Sequence, residues 1–359
     1  MIDLKKSIYK LFKPKISKVI GIDIGAGSVK MAQVNFSGKM PEVVTLCSKP
    51  LPLDLGNGAF VRNRIAMADF LKEALNEESF SAAHVVFTIG GRNAFVRAIE
   101  MPDMPAVQMK QAVAWDAGQY VPYEADSYYV DSVKFGEINE DKMQPVLLVA
   151  APKEMVDALA DIADQMEMTV LSIDIEVLAL YRTLSKTYSD FVMLDIGKGY
   201  SMLTIFQKGA PVAQRSIPQG GQMFDAALAK DLNISLLAAE EYKIKNNILG
   251  SLTPDDKEKH SSFFNEVENL GREVRRTCDY YKMNKKNAEF SNLLIVGGGS
   301  DMPGLKEFFK NSIEFSVVGN DLHQAVGFSD KIPQSVLKKG ISGFGVAIGA
   351  ALVGGDTDD

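Results

Sequence analysis

The sequence predicts an α/β protein with two related halves that face each other across a cleft. Two stretches share one pattern: an apolar strand reaches an aspartate, a Gly-x-Gly turn follows, and a second apolar strand resumes. The first copy spans 17–34 and the second 190–206. Duplication at this distance indicates two related domains. A third glycine-rich stretch, at 297–299, also follows a predicted strand.

Composition limits the classes of protein that need to be considered. A chain of 359 residues with 46% hydrophobic residues can hold two domains with adequate cores. Its formal net charge of -7 disfavours nucleic acid as a general partner. Two cysteines and three scattered histidines give neither a disulfide framework nor metal-ligand spacing, which favours the reducing cytoplasm. We expect no membrane span and no secretory signal, since the best apolar run, 341–353, is short and interrupted by glycines.

The first copy of the pattern places Asp23 inside an otherwise apolar strand. A buried carboxylate costs free energy unless it is paired or coordinates a cation. Gly25 and Gly27 permit a tight turn whose N–H groups suit an anion such as phosphate, and Ser28 adds a hydroxyl. Because 29–34 alternates apolar and polar residues, the turn is predicted to close a hairpin and not to begin a P-loop helix. A purely structural hairpin is the alternative for this stretch alone.

The second copy repeats the aspartate and the glycines as Asp195, Gly197 and Gly199. Two such hairpins facing one cleft would suit a nucleoside triphosphate with Mg²⁺. This ion usually keeps several waters and is held through one or two carboxylates together with phosphate oxygens. Asp23 and Asp195 are therefore predicted to hold its hydration shell, and the cation is the partner that Asp23 needs.

The third motif is a predicted strand that runs into Gly297, Gly298 and Gly299, with Pro303 near the start of a predicted helix. Three consecutive glycines let a flat ligand such as an adenine ring lie against the main chain. Nearby N–H groups also suit phosphate oxygens. A flexible turn is the alternative for three glycines taken by themselves.

Together the three motifs resemble those of the actin-like ATPase superfamily, which includes actin, bacterial cell-shape and division actins, Hsp70 chaperones and sugar kinases. Residues 23–30 resemble its first phosphate motif, 190–201 its second, and 295–305 its adenosine motif. Residues 173–180 and 343–352 resemble its two connecting helices. The resemblance implies an actin-like (ribonuclease H-like) α/β fold with duplicated domains around a nucleotide cleft.

The same resemblance implies the ligands and the site residues. ATP and Mg²⁺ are the expected cofactors, with Asp23 and Asp195 holding the metal through water and Glu176 positioning the attacking water. Residues 239–243 resemble the segment that faces ribose and adenine in bacterial actins. The expected nucleotide-binding residues are Gly25, Ala26, Gly27, Ser28, Lys30, Gly197, Lys198, Gly199, Tyr200, Ser201, Gly220, Gly221, Glu240, Lys243, Gly297, Gly298, Gly299 and Ser300.

The segment between the two halves predicts a small inserted α/β subdomain over 85–172, in the order strand, strand, helix, strand, strand, helix. Residues 101–124 and 128–133 resemble the PilM family of type IV pilus assembly proteins, and the resemblance extends over nearly the whole chain. It implies an ATP-binding cytoplasmic scaffold, peripheral to the inner membrane, that binds the cytoplasmic tail of a PilN-like membrane protein. Motor ATPases, the platform protein and further copies of the chain are the other partners it suggests.

In that family the tail lies in a groove between the inserted subdomain and the first core subdomain. Residues 96–99 and 115–123 are our candidates for its lining, because an extended tail pairs with a strand edge or lies in an apolar channel. Four side chains in or near these ranges are expected in the core of the insertion instead. They are Val107, Val113, Trp115 and Tyr120.

These inferences divide the chain into six parts. Residues 1–15 combine apolar residues at helical spacing with interleaved lysines, which suits contact with an anionic membrane surface or, equally, an ordinary solvated helix. The parts are a basic N-terminal segment (1–16), a first core subdomain (17–84 and 173–189), the inserted subdomain (85–172), a second core subdomain (190–217 and 291–353), a smaller subdomain (218–290) and an acidic tail (354–359).

Two functions from different classes remain. The first is the scaffold, in which ATP is a structural or switching ligand. The second is an actin-fold ATPase or kinase, either a filament-forming division-type (FtsA-like) protein or a small-molecule phosphotransferase with Asp174 as candidate general base. Ala26 and Lys198 stand where relatives often carry small hydroxyl residues, which leaves hydrolysis open.

Overall fold

The computed structural model describes residues 16–57, 60–184, 188–250, 253–285, 289–319, 321–338 and 340–355. The predicted basic helix over 1–15 and residues 356–359 of the acidic tail lie outside these ranges. Within the described ranges, no helix is both long enough and apolar enough to cross a bilayer.

The strands and helices follow one another as an α/β protein. The strands are β1 (Lys18–Ile24), β2 (Ser28–Asn35), β3 (Glu42–Pro50), β4 (Gly56–Asn57), β5 (Phe60–Val61), β6 (His84–Ile89), β7 (Phe95–Pro102), β8 (Tyr128–Lys134), β9 (Met143–Pro152), β10 (Thr169–Ile175), β11 (Phe191–Ile196), β12 (Ser201–Gln207), β13 (Ala210–Ile217), β14 (Asn292–Val296), β15 (Ser316–Gly319) and β16 (Gly327–Phe328). The α-helices are α1 (Arg64–Glu77), α2 (Ala106–Asp116), α3 (Lys153–Gln165), α4 (Glu176–Arg182), α5 (Gly221–Leu232), α6 (Leu236–Lys245), α7 (Pro254–Lys259), α8 (Ser261–Asn284), α9 (Leu305–Ser312), α10 (Gln334–Lys338) and α11 (Gly345–Ala351).

Two large sheets share one topology. The first has the order β10-β6-β1-β2-β3-β16 and the second the order β13-β12-β11-β14-β15. In each, three consecutive antiparallel strands, β1 to β3 or β11 to β13, continue into parallel strands, β6 and β10 or β14 and β15. The duplication predicted from the aspartate-glycine motifs is therefore present in the fold. Both motifs lie at the carboxyl end of the equivalent strand, β1 or β11.

The insertion has a sheet of its own, and this sheet covers fewer residues than the predicted range of 85–172. It has the antiparallel order β7-β9-β8 and covers 95–152. β6 and β10 instead lie in the first large sheet, because β6 pairs in parallel with both β1 and β10. Helix α3 also packs on that sheet, where Leu159 and Ile162 share a buried cluster with Phe87.

Helix α2 covers one face of the inserted sheet. Met109, Val113 and Ala117 recur every four residues and are buried in its core. The prediction that Val107 and Trp115 lie in this core is wrong, since they are 71% and 89% exposed. Each stands two positions from a buried residue, which places it on the opposite side of the helix.

Helix α11 is buried along its whole length and packs against α4, β1 and β2. Glycines make this close approach possible. A Cβ added to Gly349 would lie 1.8 Å from the carbonyl oxygen of Ala179, and one added to Gly21 would lie 1.9 Å from that of Ala347. The small residues noted in the second connecting segment therefore permit contact between main chains.

We expect Gly349→Ala to lower the free energy of unfolding by roughly 1–3 kcal/mol, because the added methyl meets a main-chain oxygen that cannot move freely. Alanine is the better helix former, so a loss of stability would identify the steric contact as its cause. Gly118→Ala is the control, since a Cβ there meets nothing within 4 Å. Chemical denaturation measures both variants, and equal stability of the two would contradict the packing described for α11.

Candidate functional site

The two hairpin turns meet at the carboxyl ends of β1 and β11. In each, the N–H of the first glycine donates to the carbonyl three residues ahead, at 3.0 Å from Gly25 and 3.1 Å from Gly197. A Cβ on Gly199 would lie 3.7 Å from the Cβ of Ala26, so the turns of the two halves are in contact. The residues of the two turns are Gly25, Ala26, Gly27 and Ser28 in the first and Gly197, Lys198, Gly199, Tyr200 and Ser201 in the second.

Three carboxylates and one ammonium group come together behind the turns. Asp23 lies opposite Lys30 in the first hairpin, whereas Asp195 lies opposite Met202 in the second. Glu176, at the start of α4, interacts electrostatically with both aspartates. Lys30 interacts electrostatically with all three carboxylates. The cluster therefore combines three acids with one base.

Burial dominates the acidity of this cluster. It raises the pKa of Asp23, and Lys30 opposes the rise. Burial, followed by the charge of Asp23, raises the pKa of Asp195 to about 6. Burial and then both aspartates raise the pKa of Glu176 well above its ordinary value, against Lys30 and a main-chain hydrogen bond from Gly91. A cation placed among these groups would favour their charged forms.

A glycine pair that sequence reasoning missed makes room for Glu176. Gly90 and Gly91 directly follow β6, and a Cβ on Gly90 would lie 1.8 Å from the Glu176 carboxyl carbon. Gly91 has a φ of +63°, in the left-handed region that favours glycine. Tyr200 reaches it from the second half, since a Cβ there would lie 1.7 Å from the Tyr200 hydroxyl oxygen. The sequence signal that could have identified this pair is two consecutive glycines directly after an apolar strand.

The three consecutive glycines have different surroundings. Gly297 has a φ of +80°, and a Cβ on it would lie 2.0 Å from Oδ1 of Asp195. A Cβ on Gly299 would lie 2.3 Å from Cγ2 of Ile196. Gly298 faces open space, with nothing within 4 Å of an added Cβ. Ser300 is buried, and its hydroxyl donates to the carbonyl of Gly297 at 2.7 Å. Gly298 is thus the member of this motif with room for a ligand beside its main chain.

The N-terminus of α5 braces the second turn. The N–H groups of Gly221 and Gln222 donate to the carbonyls of Gly197 and Lys198 at 2.9 and 2.8 Å. A Cβ on Gly220 would lie 2.6 Å from a turn nitrogen, so the close approach requires glycine. Beside it, the Ser201 hydroxyl donates to the carbonyl of Gln219 at 2.6 Å. Gly220, Gly221 and the Ser201 hydroxyl therefore hold the turn in place.

Lys243 and Glu240, on α6, differ in their surroundings. Lys243 is buried, with its ammonium nitrogen 2.6 Å from Oδ1 of Asp225 and 3.1 Å from the carbonyl oxygen of Gly221. Burial raises the pKa of Asp225, and the contact with Lys243 opposes the rise. Glu240 is half-exposed and pairs with Lys198 at 3.6 Å. Sequence reasoning missed Asp225, and we find no local signal for its pairing with Lys243.

Asp174, the candidate general base of a kinase, is paired with Arg182. Arg182 also donates to the carbonyl of Gly349 at 3.3 Å, on the second connecting helix. The carboxylate thus takes part in the packing of α4 against α11. This arrangement favours a structural role for Asp174.

A small cavity of about 20 Å³ lies beside Glu176 at the junction of the two halves. Its polar lining includes Asp195, Thr204 and Gln214. The rest of the lining is mostly apolar, and a space of this size holds about one water molecule where such polar partners are present. The position next to Glu176 suits a carboxylate that orients water.

The donor set fits a hydrated magnesium ion. Among the described residues, no group of three or more His, Cys, Asp or Glu side chains is arranged to hold a metal by itself. Mg²⁺ does not require such a group, because waters and phosphate oxygens complete its coordination. Asp23 and Asp195 are the two carboxylates that would hold such an ion.

The sequence profile of the family described as type IV pilus assembly protein PilM matches residues 21–354. The chain belongs to this family. A chain of the solved PilM-PilN type IV pilus biogenesis complex superposes on it with a TM-score of 0.80 and 25% identity, over 95% of this chain and 99% of that one. Recognition of the PilM family from the inserted segment is therefore confirmed.

Two other solved structures share the fold of this PilM-family chain. Ethanolamine utilization protein EutJ from Carboxydothermus hydrogenoformans has a TM-score of 0.56 at 14% identity, over 93% of this chain and 89% of that one. MreB5 of Spiroplasma citri bound to AMPPNP has a TM-score of 0.54 at 13% identity, over 94% and 95%. At these identities the similarity concerns the fold, and it confirms the actin-like class.

We expect Asp195→Asn to raise the free energy of unfolding of the nucleotide-free protein at about pH 7 by roughly 1–3 kcal/mol. The folded-state pKa of about 6 lies above the ordinary value of 3.8, so the folded state holds the proton more tightly. The contribution of Asp195 to stability therefore falls as pH rises through this window, and asparagine removes that fall.

Denaturation in a metal chelator at about pH 5 and about pH 7 measures the effect, which should be larger at the higher pH. Asp279→Asn, exposed on α8, is the control for loss of a carboxylate. Equal responses of the two variants would contradict the burial of Asp195 beside the charge of Asp23.

Proposed function

We propose that this protein is an ATP-binding scaffold of the inner-membrane platform that assembles type IV pili or the related secretion and competence machines. The observation that carries the nucleotide part is the cluster of Asp23, Glu176 and Asp195 behind two glycine turns. Buried carboxylates of like charge need a compensating cation. A magnesium-bound triphosphate supplies that cation, and the turns offer N–H groups to its phosphates.

Each part of the cleft then has a role. Asp23 and Asp195 hold Mg²⁺ through its waters, and Lys30 with the main chain of both turns holds the phosphates. Gly298 gives the adenine ring a surface without side chains, and Glu240 faces the ribose. Bound Mg²⁺ neutralises phosphate charge. The hydroxyls of Ser201 and Ser300 and the ammonium of Lys243 support these groups through their bonds to the protein.

ATP acts mainly as a structural or switching ligand in this proposal. It stabilises the closed arrangement of the two halves by mass action, because it binds both turns at once. Glu176 positions a water, but Ala26 and Lys198 replace the small hydroxyl residues often found in relatives. We therefore propose that hydrolysis is slow or absent.

The partner in this proposal is the cytoplasmic tail of a PilN-like membrane protein, since a related PilM was solved in complex with PilN. Tyr129 and Val133 alternate with Tyr128 and Val130, which pack against the core under α2, so they lie on the face of the inserted sheet away from that helix. Helix α3 joins this face to the first half: Asp157 accepts a hydrogen bond from Tyr129 at 3.0 Å, and Asp161 pairs with Arg64.

Exposed apolar residues of the first half continue the same region. Phe60 is 48% exposed and Ile65 66% exposed, and the strand that holds Phe60 contacts α3. We propose that the tail lies over α3, between these residues and the outer face of the inserted sheet. A groove with apolar sides and an exposed strand edge at β8 suits an extended peptide.

The setting follows from this partner. We propose that the protein is cytoplasmic and peripheral to the inner membrane, through the tail and through residues 1–15. From there it would link the membrane complex to motor ATPases and the platform protein, alone or as a homo-oligomer. The six-part division of the chain remains part of this proposal, with the inserted sheet narrowed to 95–152.

An actin-fold ATPase or kinase is the second candidate. The water-sized cavity beside Glu176 favours it, because hydrolysis needs a positioned water. The pairing of Asp174 with Arg182 counts against a kinase, which needs a general base beside an acceptor pocket.

Retention of radiolabelled ATP in the presence of Mg²⁺ distinguishes the two. We expect the wild type to retain ATP with little phosphate release and Asp23→Ala to retain much less. Asp131→Ala, an exposed carboxylate of the insertion, should retain ATP normally. Acceptor-dependent turnover at roughly 1 to 100 per second would favour the kinase, and absence of retention by the wild type would refute nucleotide binding.

Binding of a peptide with the PilN-like tail sequence tests the proposed groove. We expect Val133→Asp to weaken binding by about tenfold or more, because a charge would enter an apolar contact. Val107→Asp is the matched control, since it alters an exposed valine of the same subdomain on the α2 side. Fluorescence anisotropy measures both, and equal affinities would place the peptide elsewhere.

A further inference from the structure

Lys198 lies across the contact between the two hairpin turns. It belongs to the second turn, yet its aliphatic chain covers Gly27 of the first. A Cβ on Gly27 would lie 2.2 Å from Cδ of Lys198, 3.3 Å from Cε and 3.4 Å from Cγ. The side chain therefore runs through the gap where a phosphate held by both turns would sit.

The ammonium of Lys198 ends near Glu240. The two charges are 3.6 Å apart, and the side chains are 46% and 38% exposed. An ion pair at this exposure is worth little, because water screens it and both side chains lose freedom in forming it. The Lys198–Glu240 ion pair can therefore exchange for a stronger partner at low cost.

Two further lysines described above, Lys243 and Lys30, have different surroundings. Lys243 is buried between Asp225 and the carbonyl of Gly221. Lys30 balances the carboxylate cluster. Of these three cations, Lys198 is the one that combines a place between the turns with an exposed, weakly held ammonium.

We propose that Lys198 discriminates triphosphate from diphosphate by exchanging Glu240 for the terminal phosphate. This proposal rests on the nucleotide-binding function proposed above. A phosphate held between the two turns meets the lysine chain directly, and its charge exceeds that of one carboxylate. A diphosphate lacks the third phosphate group, so it leaves Lys198 with Glu240.

Glu240 therefore competes with the terminal phosphate for the ammonium of Lys198, and this competition opposes ATP binding. The two charges of the pair should therefore have opposite effects on the affinity for ATP when each is removed. Loss of the Lys198 charge weakens ATP, and loss of the Glu240 charge strengthens it. If the ion pair only stabilised the cleft, removal of either charge would weaken ATP binding.

The test is to measure the dissociation constants of ATP and ADP with Mg²⁺ by titration calorimetry for the wild type and three variants. Lys198→Met keeps the aliphatic chain on Gly27 and removes the charge. We expect this variant to weaken ATP binding by about tenfold or more and ADP binding by less than about threefold. Lys198→Arg should restore the preference for ATP, and Glu240→Gln should tighten ATP by about two- to fivefold.

The outcomes separate this inference from the function on which it rests. Thermal melting checks that each variant is folded. Equal weakening of ATP and ADP by Lys198→Met, or weaker ATP binding by Glu240→Gln, would overturn the role of Lys198 while leaving nucleotide binding intact. Failure of the wild type to bind either nucleotide would overturn both.

Discussion

Burial of three like charges, those of Asp23, Glu176 and Asp195, is the constraint on which the arrangement of the cleft depends. Burial raises the pKa of each group, and Lys30 compensates only part of the charge. The surrounding backbone has to come close enough to hold the carboxylates, which only glycine permits at Gly90 and Gly297. The site is therefore assembled around charge that the protein alone does not neutralise, as expected where a ligand supplies the missing cation.

Local patterns in the sequence predicted much of this arrangement. Hairpins after Asp23 and Asp195 follow from alternating hydrophobicity and glycine turns, which are properties of neighbouring residues. Duplication of the pattern was enough to predict two related sheets. The second helix of the inserted segment was also anticipated, but its packing on the first large sheet was not, because the sequence shows its apolar face and not the surface that covers it.

The errors and omissions concern partners that are distant in the chain. Nothing near Lys243 indicates that Asp225 neutralises it, and nothing near Ser201 indicates that its hydroxyl bonds the main chain at Gln219. Trp115 was expected in a core, whereas its position on the helix decides its burial and Val113 occupies the inward side. Polar residues next to a motif can thus serve the scaffold that holds the motif as readily as the ligand.

The two hairpins differ at the register position opposite the aspartate, where Lys30 in one corresponds to Met202 in the other. After the duplication, one copy therefore carries the ammonium that serves the aspartates of both. The second half cannot balance Asp195 with a base of its own at this position. A substitution of Lys30 would alter the charge balance of Asp23 and Asp195 together, so the second half depends on a residue of the first for this balance.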